Sequence, residues 1–354
     1  MKLKKVSMRI HELKSGMIVA EEIKSGNIVL VSEGVELTDD LIKRLKDRYF
    51  EYKIMVYSED DYEDENITIN RIKTVEEVKR SFDEFSNNVE EIFESMDGRI
   101  KVDITEIRNF TNKVEEELNS PSAVIKNIVL YGSDNDCIFK HSVNVAALSS
   151  ILGKWIGFDE KEIKFLTYAA ILHDFGKTKI DKNILYKPGF LTTKEKAIIR
   201  EHPVISYNFV KEIPYLHNSV AYGILMHHER LDGSGYPLGV KGDKIHSFAK
   251  IIAIADTFDA VNSNRVYKKR EDPFAALETI QKESLGRLDY EYCKIFIEHI
   301  INYYVGENVL LDTDKVCKII QIHVNDLSRP LLLDEGEFID LRKEKDLHIK
   351  NLVL

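Results

Sequence analysis

Phe165-Leu166-Thr167-Tyr168-Ala169-Ala170-Ile171-Leu172-His173-Asp174-Phe175-Gly176-Lys177 is an apolar run that ends in two adjacent metal-competent side chains. Phe165 to Leu172 reads as a buried helix, and Gly176 reads as the glycine that ends it. An imidazole and a carboxylate at such a place need partners, because an unpaired polar group is costly to desolvate. One His-Asp pair is commonplace, so the case rests on its company. His141 opens the run His141-Ser142-Val143-Asn144-Val145-Ala146-Ala147-Leu148. His202 lies in Arg200-Glu201-His202-Pro203, where the proline discourages helix before it. His227 and His228 close Val220-Ala221-Tyr222-Gly223-Ile224-Leu225-Met226, and Asp256 ends Ile251-Ile252-Ala253-Ile254-Ala255-Asp256. Consecutive groups lie one helix plus a connection apart, so the helices of a bundle can bring them to one point.

Imidazole mixed with carboxylate suits Mn, Fe, Co, Ni or Zn better than Mg or Ca. Seven such groups, His141, His173, Asp174, His202, His227, His228 and Asp256, exceed what one tetrahedral ion takes. They suit two ions bridged by Asp174, an arrangement that serves phosphate-ester hydrolysis.

The ordered motifs carry a family resemblance. They are His141 to Val145, Leu172 to Lys177, Ile184 to Gly189, Glu201-His202-Pro203, His227 to Pro237, Ala255 to Ala260 and Arg265-Val266-Tyr267. In this order they resemble the HD-GYP phosphodiesterases, a branch of the HD superfamily, over residues 125 to 300. The resemblance implies a helical domain with a bi- or trinuclear metal centre that hydrolyses cyclic di-GMP to pGpG, with GMP as a further product in some relatives. It implies the seven groups above as ligands. Asp174 and Lys177 are then the catalytic residues, with Lys177 on the scissile phosphate. Lys187, Arg230, Gly235, Tyr236, Pro237, Arg265 and Lys268 would line the substrate, and Asp259 would orient a ligand from behind. Two Fe or Mn ions are expected, with Zn or Ni as substitutes. The extra Glu that serves a third metal in some members is replaced by Cys137, beside Asp136, so two ions are expected rather than three.

The chain divides by pattern into residues 1–65, 66–124, 125–305 and 306–354. The first part reads as short strands, Met17 to Ala20, Asn27 to Val31 and Tyr52 to Tyr57, around a helix from Asp39 to Arg48 capped by Thr38. The acidic run 59–65 reads as a solvated linker. Val75, Val78, Phe82, Phe85, Val89, Ile92 and Phe93 form one helical stripe, a packing face that suits a coiled homodimer contact. A second helix follows Asp97-Gly98, from Asp103 to Leu118. After residue 305, Val309 to Leu311, Val316 to Val324, Pro330 to Leu333, Phe338 to Leu341 and Ile349 to Leu354 read as strands. The expected fold is therefore mainly α: a helical metal-binding domain, a small N-terminal α/β region and a C-terminal β appendage.

The chain has 354 residues and a net charge of -10, which argues against a nucleic-acid polymer as partner. It lacks an apolar run of the roughly 18 residues that a membrane span needs, and its start lacks a signal-peptide core. Cys137, Cys293 and Cys317 show no paired or zinc-type spacing, as in a reducing cytoplasm. Glu229 and Arg230 read as a surface pair or, for Arg230, a pocket wall. His11, His217, His246, His299 and His323 read as structural. Two rival functions stand beside cyclic di-GMP hydrolysis: a regulatory module that binds the nucleotide or a signalling partner, and a hydrolase of another substrate such as 3′,3′-cGAMP.

Overall fold

A computed structural model describes residues 5–21, 23–25, 28–31, 37, 39–49, 53–57, 73–98, 104–118, 120–133, 137–263 and 274–353. Thr38, the acidic run, Asp136, Arg265 and Lys268 lie outside the described residues. The chain forms two compact units, Met1–Thr74 with Asn119–Ala123, and Val75–Leu118 with Val124–Leu354.

The first unit is small and strand-rich. It contains β1 (Lys5–Arg9), β2 (Ile23–Ser25), β3 (Ile28–Val31), α1 (Asp39–Tyr49) and β4 (Lys53–Tyr57). β1 pairs antiparallel with β4, Met8 opposite Ile54, and β2 pairs with β3. Ile54 and Val56 alternate inward from β4, and Ile42 and Leu45 turn the same way from α1. They meet Ile10, Leu13, Met17, Val19 and Leu37 in one core.

The second unit begins with α2 (Val75–Gly98), α3 (Ile104–Glu117), α4 (Pro121–Tyr131) from Val124 onward, α5 (Ile138–Ile156) and α6 (Glu160–Leu172). Then come α7 (Lys182–Leu185), α8 (Thr193–Ile199), α9 (His202–Val210), α10 (Asn218–Met226), α11 (Ser247–Asn262), α12 (Ala275–Glu283) and α13 (Tyr290–Tyr304). α5 is apolar on nearly every side, and it is buried from Lys140 to Gly153. Its end is sharp. Gly157 takes a left-handed φ of 95°, and the Gly157 and Phe158 N–H groups return to the Gly153 carbonyl. Asp159 and Glu162 then cap α6 reciprocally, the Asp159 carboxylate accepting from the Glu162 N–H at 2.8 Å.

Small residues let these helices approach. A Cβ on Gly153 would sit 2.9 Å from Leu166, and one on Gly223 would sit 3.1 Å from Ala169 and 3.0 Å from Phe248. α5, α6, α10 and α11 are thereby held close, and these helices carry most of the candidate ligands. The α2 stripe supplies another wall. Val78, Phe82, Phe85, Val89, Ile92 and Phe93 are buried, with Phe93 edge-on to Phe139 at 5.8 Å and to Phe175 at 5.3 Å. The face read as a dimer contact is thus covered inside the chain, because periodicity shows that a face is buried but not by what.

Gly176 does not end α6 as expected. The helix stops at Leu172, and Gly176 sits in a short 3-10 turn, Phe175–Lys179. A Cβ there would lie 2.2 Å from the carbonyl oxygen of His202. The glycine is needed for close backbone approach rather than for a cap.

The chain closes with β5 (Asn308–Leu311), β6 (Val316–His323), β7 (Asp326–Asp334), β8 (Glu337–Asp340) and β9 (Ile349–Val353). They make one antiparallel sheet in the order β8-β7-β6-β5-β9, with Val309, Leu311, Cys317, Ile319 and Leu332 buried. The architecture is mainly α with a small α/β unit at one end of the sequence and a β appendage at the other. Among the described residues, no helix is long and apolar enough to cross a membrane.

Candidate metal centre

Helix ends deliver the candidate ligands. His173 caps the C-terminus of α6 and Asp174 follows it; His202 is the first residue of α9; His227 caps α10 and His228 follows. His141 lies in the first turn of α5, and Asp256 lies within α11. His173, Asp174 and His227 have 0% exposure, His202 1%, His141 7% and Asp256 9%. So many polar side chains out of water at one place demand a compensating partner.

The side chains form two clusters. Ligand atoms of His141, His173 and Asp174 lie within 4.8 Å of one another, as do those of His202, His227 and His228. Asp174 joins them: its Oδ2 is 3.5 Å from His173 Nε2 and 3.6 Å from His141 Nε2, and its Oδ1 is 3.2 Å from His202 Nε2. Asp256 repeats the pattern, with Oδ1 3.1 Å from His141 Nε2 and Oδ2 3.8 Å from His228 Nδ1. Both carboxylates therefore offer one oxygen to each cluster.

The protein also sets the tautomers. The Nδ1 atoms of His173, His202 and His227 lie 2.7, 2.7 and 2.6 Å from the carbonyls of Ala170, Ile199 and Ile224. A carbonyl only accepts, so each Nδ1 carries the hydrogen and each Nε2 keeps its lone pair for the centre. His141 is held differently: its Nδ1 lies 2.7 Å from Asp259 Oδ2. Asp259 is itself fixed by Asn144 Nδ2 at 2.7 Å and Ser133 Oγ at 2.8 Å.

Ionisation follows from these surroundings. Burial pulls the His173, His227 and His228 imidazoles down, the last two well below the ordinary range. Burial would also lower His141, but hydrogen bonds to Asp256 and Asp259 outweigh it and raise the group to about 9. Burial opposes ionisation of Asp174 and Asp256, yet the neighbouring imidazoles, with Lys177 beside Asp174, hold both carboxyls well below their usual range. Neutral imidazoles with ionised carboxylates are the state that binds a transition cation, so a cation held by His141 would displace its proton. His173 Nε2 is buried without a hydrogen-bond partner, while His141 Nε2 and Asp174 Oδ1 have only other groups of the two clusters, Asp256 and His202, within reach. Acceptors converging in this way fit a divalent transition ion in each cluster.

Residues 126–292 match the protein family described as HD domain. The match covers just under half of the chain. Among curated relatives, cyclic di-GMP phosphodiesterase PA4108 of Pseudomonas aeruginosa is 30% identical over 213 residues, 60% of this chain and 51% of that protein. The 3'3'-cGAMP-specific phosphodiesterase 1 of Vibrio cholerae is 33% identical over 190 residues, 53% of this chain and 43% of that protein. The chain thus spans about half the length of the curated relatives it matches. Among solved structures, Bd1817, an HDG"Y"P protein from Bdellovibrio bacteriovorus, overlays with a TM-score of 0.51 at 19% identity. The overlay covers 83% of this chain and 99% of that one, and it shows the shared fold.

A loop borders the candidate metal centre. Tyr236 stacks on the His228 ring, centroids 4.6 Å apart at 25°. Burial raises the Tyr236 phenol, so it stays protonated. Gly235 makes the approach possible, since a Cβ would meet Glu229 Cα at 2.4 Å and the His228 carbonyl oxygen at 2.5 Å. Glu229, expected at the surface, is 3% exposed. Its Oε1 accepts from the Leu238 and Gly239 N–H groups at 2.6 and 3.1 Å, tying down the far side of Pro237. A charged residue beside two exposed-looking motif residues gave no sign of burial in the sequence. Its place directly after His228 was the only signal.

The remaining expected substrate residues differ in their surroundings. Lys177 Nζ lies 2.5 Å from Asp174 Oδ2. Lys187 is instead paired with Glu195, at 2.7 and 2.9 Å, beside the cap of α8. Arg230 donates to the carbonyls of His227 and Glu229. Cys137 stands one turn before His141, with its thiol 3.8 Å from Ser86 Oγ. His246 and His217, read as structural, cap the N-termini of α11 and α10.

Proposed function

We propose that this chain is a metal-dependent phosphodiesterase that linearises cyclic di-GMP to pGpG. The observation that carries this reading is the pair of buried clusters joined by Asp174 and Asp256. His141, His173, Asp174, His202, His227, His228 and Asp256 would hold two ions, Fe or Mn. When bound, such ions supply Lewis acidity at the phosphate and an activated water.

The chain's own residues do the rest. Asp174 remains ionised and keeps the two clusters in register. The Lys177 ammonium, beside Asp174, donates to a non-bridging phosphate oxygen and offsets charge in the transition state. Tyr236 closes one side of the centre and limits water there. Asp259 keeps His141 aimed inward. The same reading puts the enzyme in the cytoplasm. Because the α2 stripe is internal, a homodimer needs a different face, which sedimentation of the purified chain tests.

The similarity to a 3'3'-cGAMP-specific relative favours a second substrate, 3′,3′-cGAMP. The deciding experiment loads purified protein with Mn or Fe and follows both nucleotides by product chromatography. Conversion of cyclic di-GMP to pGpG supports the reading. Faster turnover of 3′,3′-cGAMP selects the second substrate. Full metal occupancy without turnover of either one sinks both.

A further inference from the structure

Arg200 ends α8, two residues before the candidate ligand His202. Its side chain is exposed, and its guanidinium carbon lies 5.0 Å from the centre of the Tyr236 ring. That ring in turn stacks on His228 and lies 6.4 Å from His202. Among the described residues no carboxylate pairs with Arg200. Neighbouring cations differ: Lys177 is engaged by Asp174, Lys187 by Glu195, and Arg230 by two backbone carbonyls and, at 3.8 Å, Glu283. Arg200 is thus a guanidinium at the rim of the metal centre, rested on an aromatic face with its N–H edge open. An aromatic ring orients a guanidinium without using its donors, and the planar fork matches a phosphate bidentately.

A cyclic dinucleotide carries two phosphodiesters. One lies at the metals and Lys177 if the proposed function holds, and the second leaves the centre as an anion needing its own partner. We infer that Arg200 is a specificity-determining residue that grips this second phosphodiester and so selects a dinucleotide over a simple phosphodiester. The inference rests on the proposed phosphodiesterase reading for its substrate, but its geometry belongs to Arg200 and Tyr236.

The test compares the Mn-loaded wild type with Arg200→Ala and Arg200→Lys on cyclic di-GMP and on bis(p-nitrophenyl) phosphate, which has one phosphodiester. Arg200→Ala should raise KM for cyclic di-GMP about tenfold, the loss of one charge-assisted contact. Its kcat/KM for the simple diester should fall far less. Arg200→Lys should recover part of the affinity, and added salt should narrow the gap between wild type and Arg200→Ala. Calorimetric binding of a slowly hydrolysed phosphorothioate cyclic di-GMP reads the same contact without turnover. An unchanged KM and affinity in Arg200→Ala, or equal losses on both substrates, overturns the inference while leaving the hydrolase reading intact. A wild type that neither binds nor cleaves the nucleotide removes both.

Discussion

Asp259 offers nothing to the shared space of the two clusters, yet it decides where His141 points. Its Oδ2 holds His141 Nδ1 at 2.7 Å and so frees Nε2 for the centre. The other three helix-end histidines use a carbonyl for this purpose and keep the orienting bond under any side-chain change. His141 depends on one carboxylate. Asp259→Asn should therefore weaken metal binding by about 10- to 100-fold, as loss of an orienting partner commonly does. Metal titration of the stripped variant, with circular dichroism as a check on folding, measures this. The α5 helix should remain intact.

At the scale of elements, helix termini and one loop build the site. A helix that stops at Leu172 or Met226 releases its next two residues to point onward, and both pairs enter the centre. The loop after His228 is pressed onto this frame at Gly235, against backbone atoms that have no room to yield. Gly235→Ala should displace Tyr236 from His228 while leaving the ligands in place. A shift of about 1 Å at a positioning element costs roughly 100-fold in rate. The expected outcome is that loss in kcat/KM with metal content unchanged. Parallel loss of metal would show that the loop also supports the ligands.

For the molecule as a whole, the centre is a cost that cations repay. Buried, unpartnered imidazole and carboxylate atoms destabilise the metal-free state. A ligand present at 100 times its Kd adds about 2.7 kcal/mol to the folded state. Chelation should thus lower Tm by about 5 to 10 °C, and Mn should restore it; differential scanning calorimetry reads the shift. Acid acts elsewhere in the helical unit. His299 stacks on Trp155 with centroids 4.4 Å apart, and burial pulls its imidazole down to about 4 from an ordinary 6.5. The unfolded chain takes up this proton first, so the group stabilises the folded state above pH 6.5 and loses that contribution as pH falls toward 4. His299→Phe keeps a ring against Trp155 without the titration. Its Tm should fall less than that of the wild type between these pH values.

Much of this protein was legible in one dimension. Apolar periodicity located α1, α2, α3 and every strand of the C-terminal sheet to within a few residues, because side-chain period follows backbone geometry directly. The order and type of His141, His173, Asp174, His202, His227, His228 and Asp256 pointed to metal chemistry, since the ligand atoms a side chain can offer are a property of its type, and the fold brings these groups together. Other features required the folded chain. Glu229 sits inside although it is charged, Gly176 serves a close approach rather than a helix end, and the α2 stripe packs within its own chain. Asp256 joins the two clusters just as Asp174 does, and Arg200 at the end of α8 meets Tyr236 of the loop after His228. These depend on distances between segments far apart in sequence. The chain alone determined which groups could act, and tertiary packing decided which of them meet, because close packing and hydrogen-bond direction exist only between surfaces already brought together.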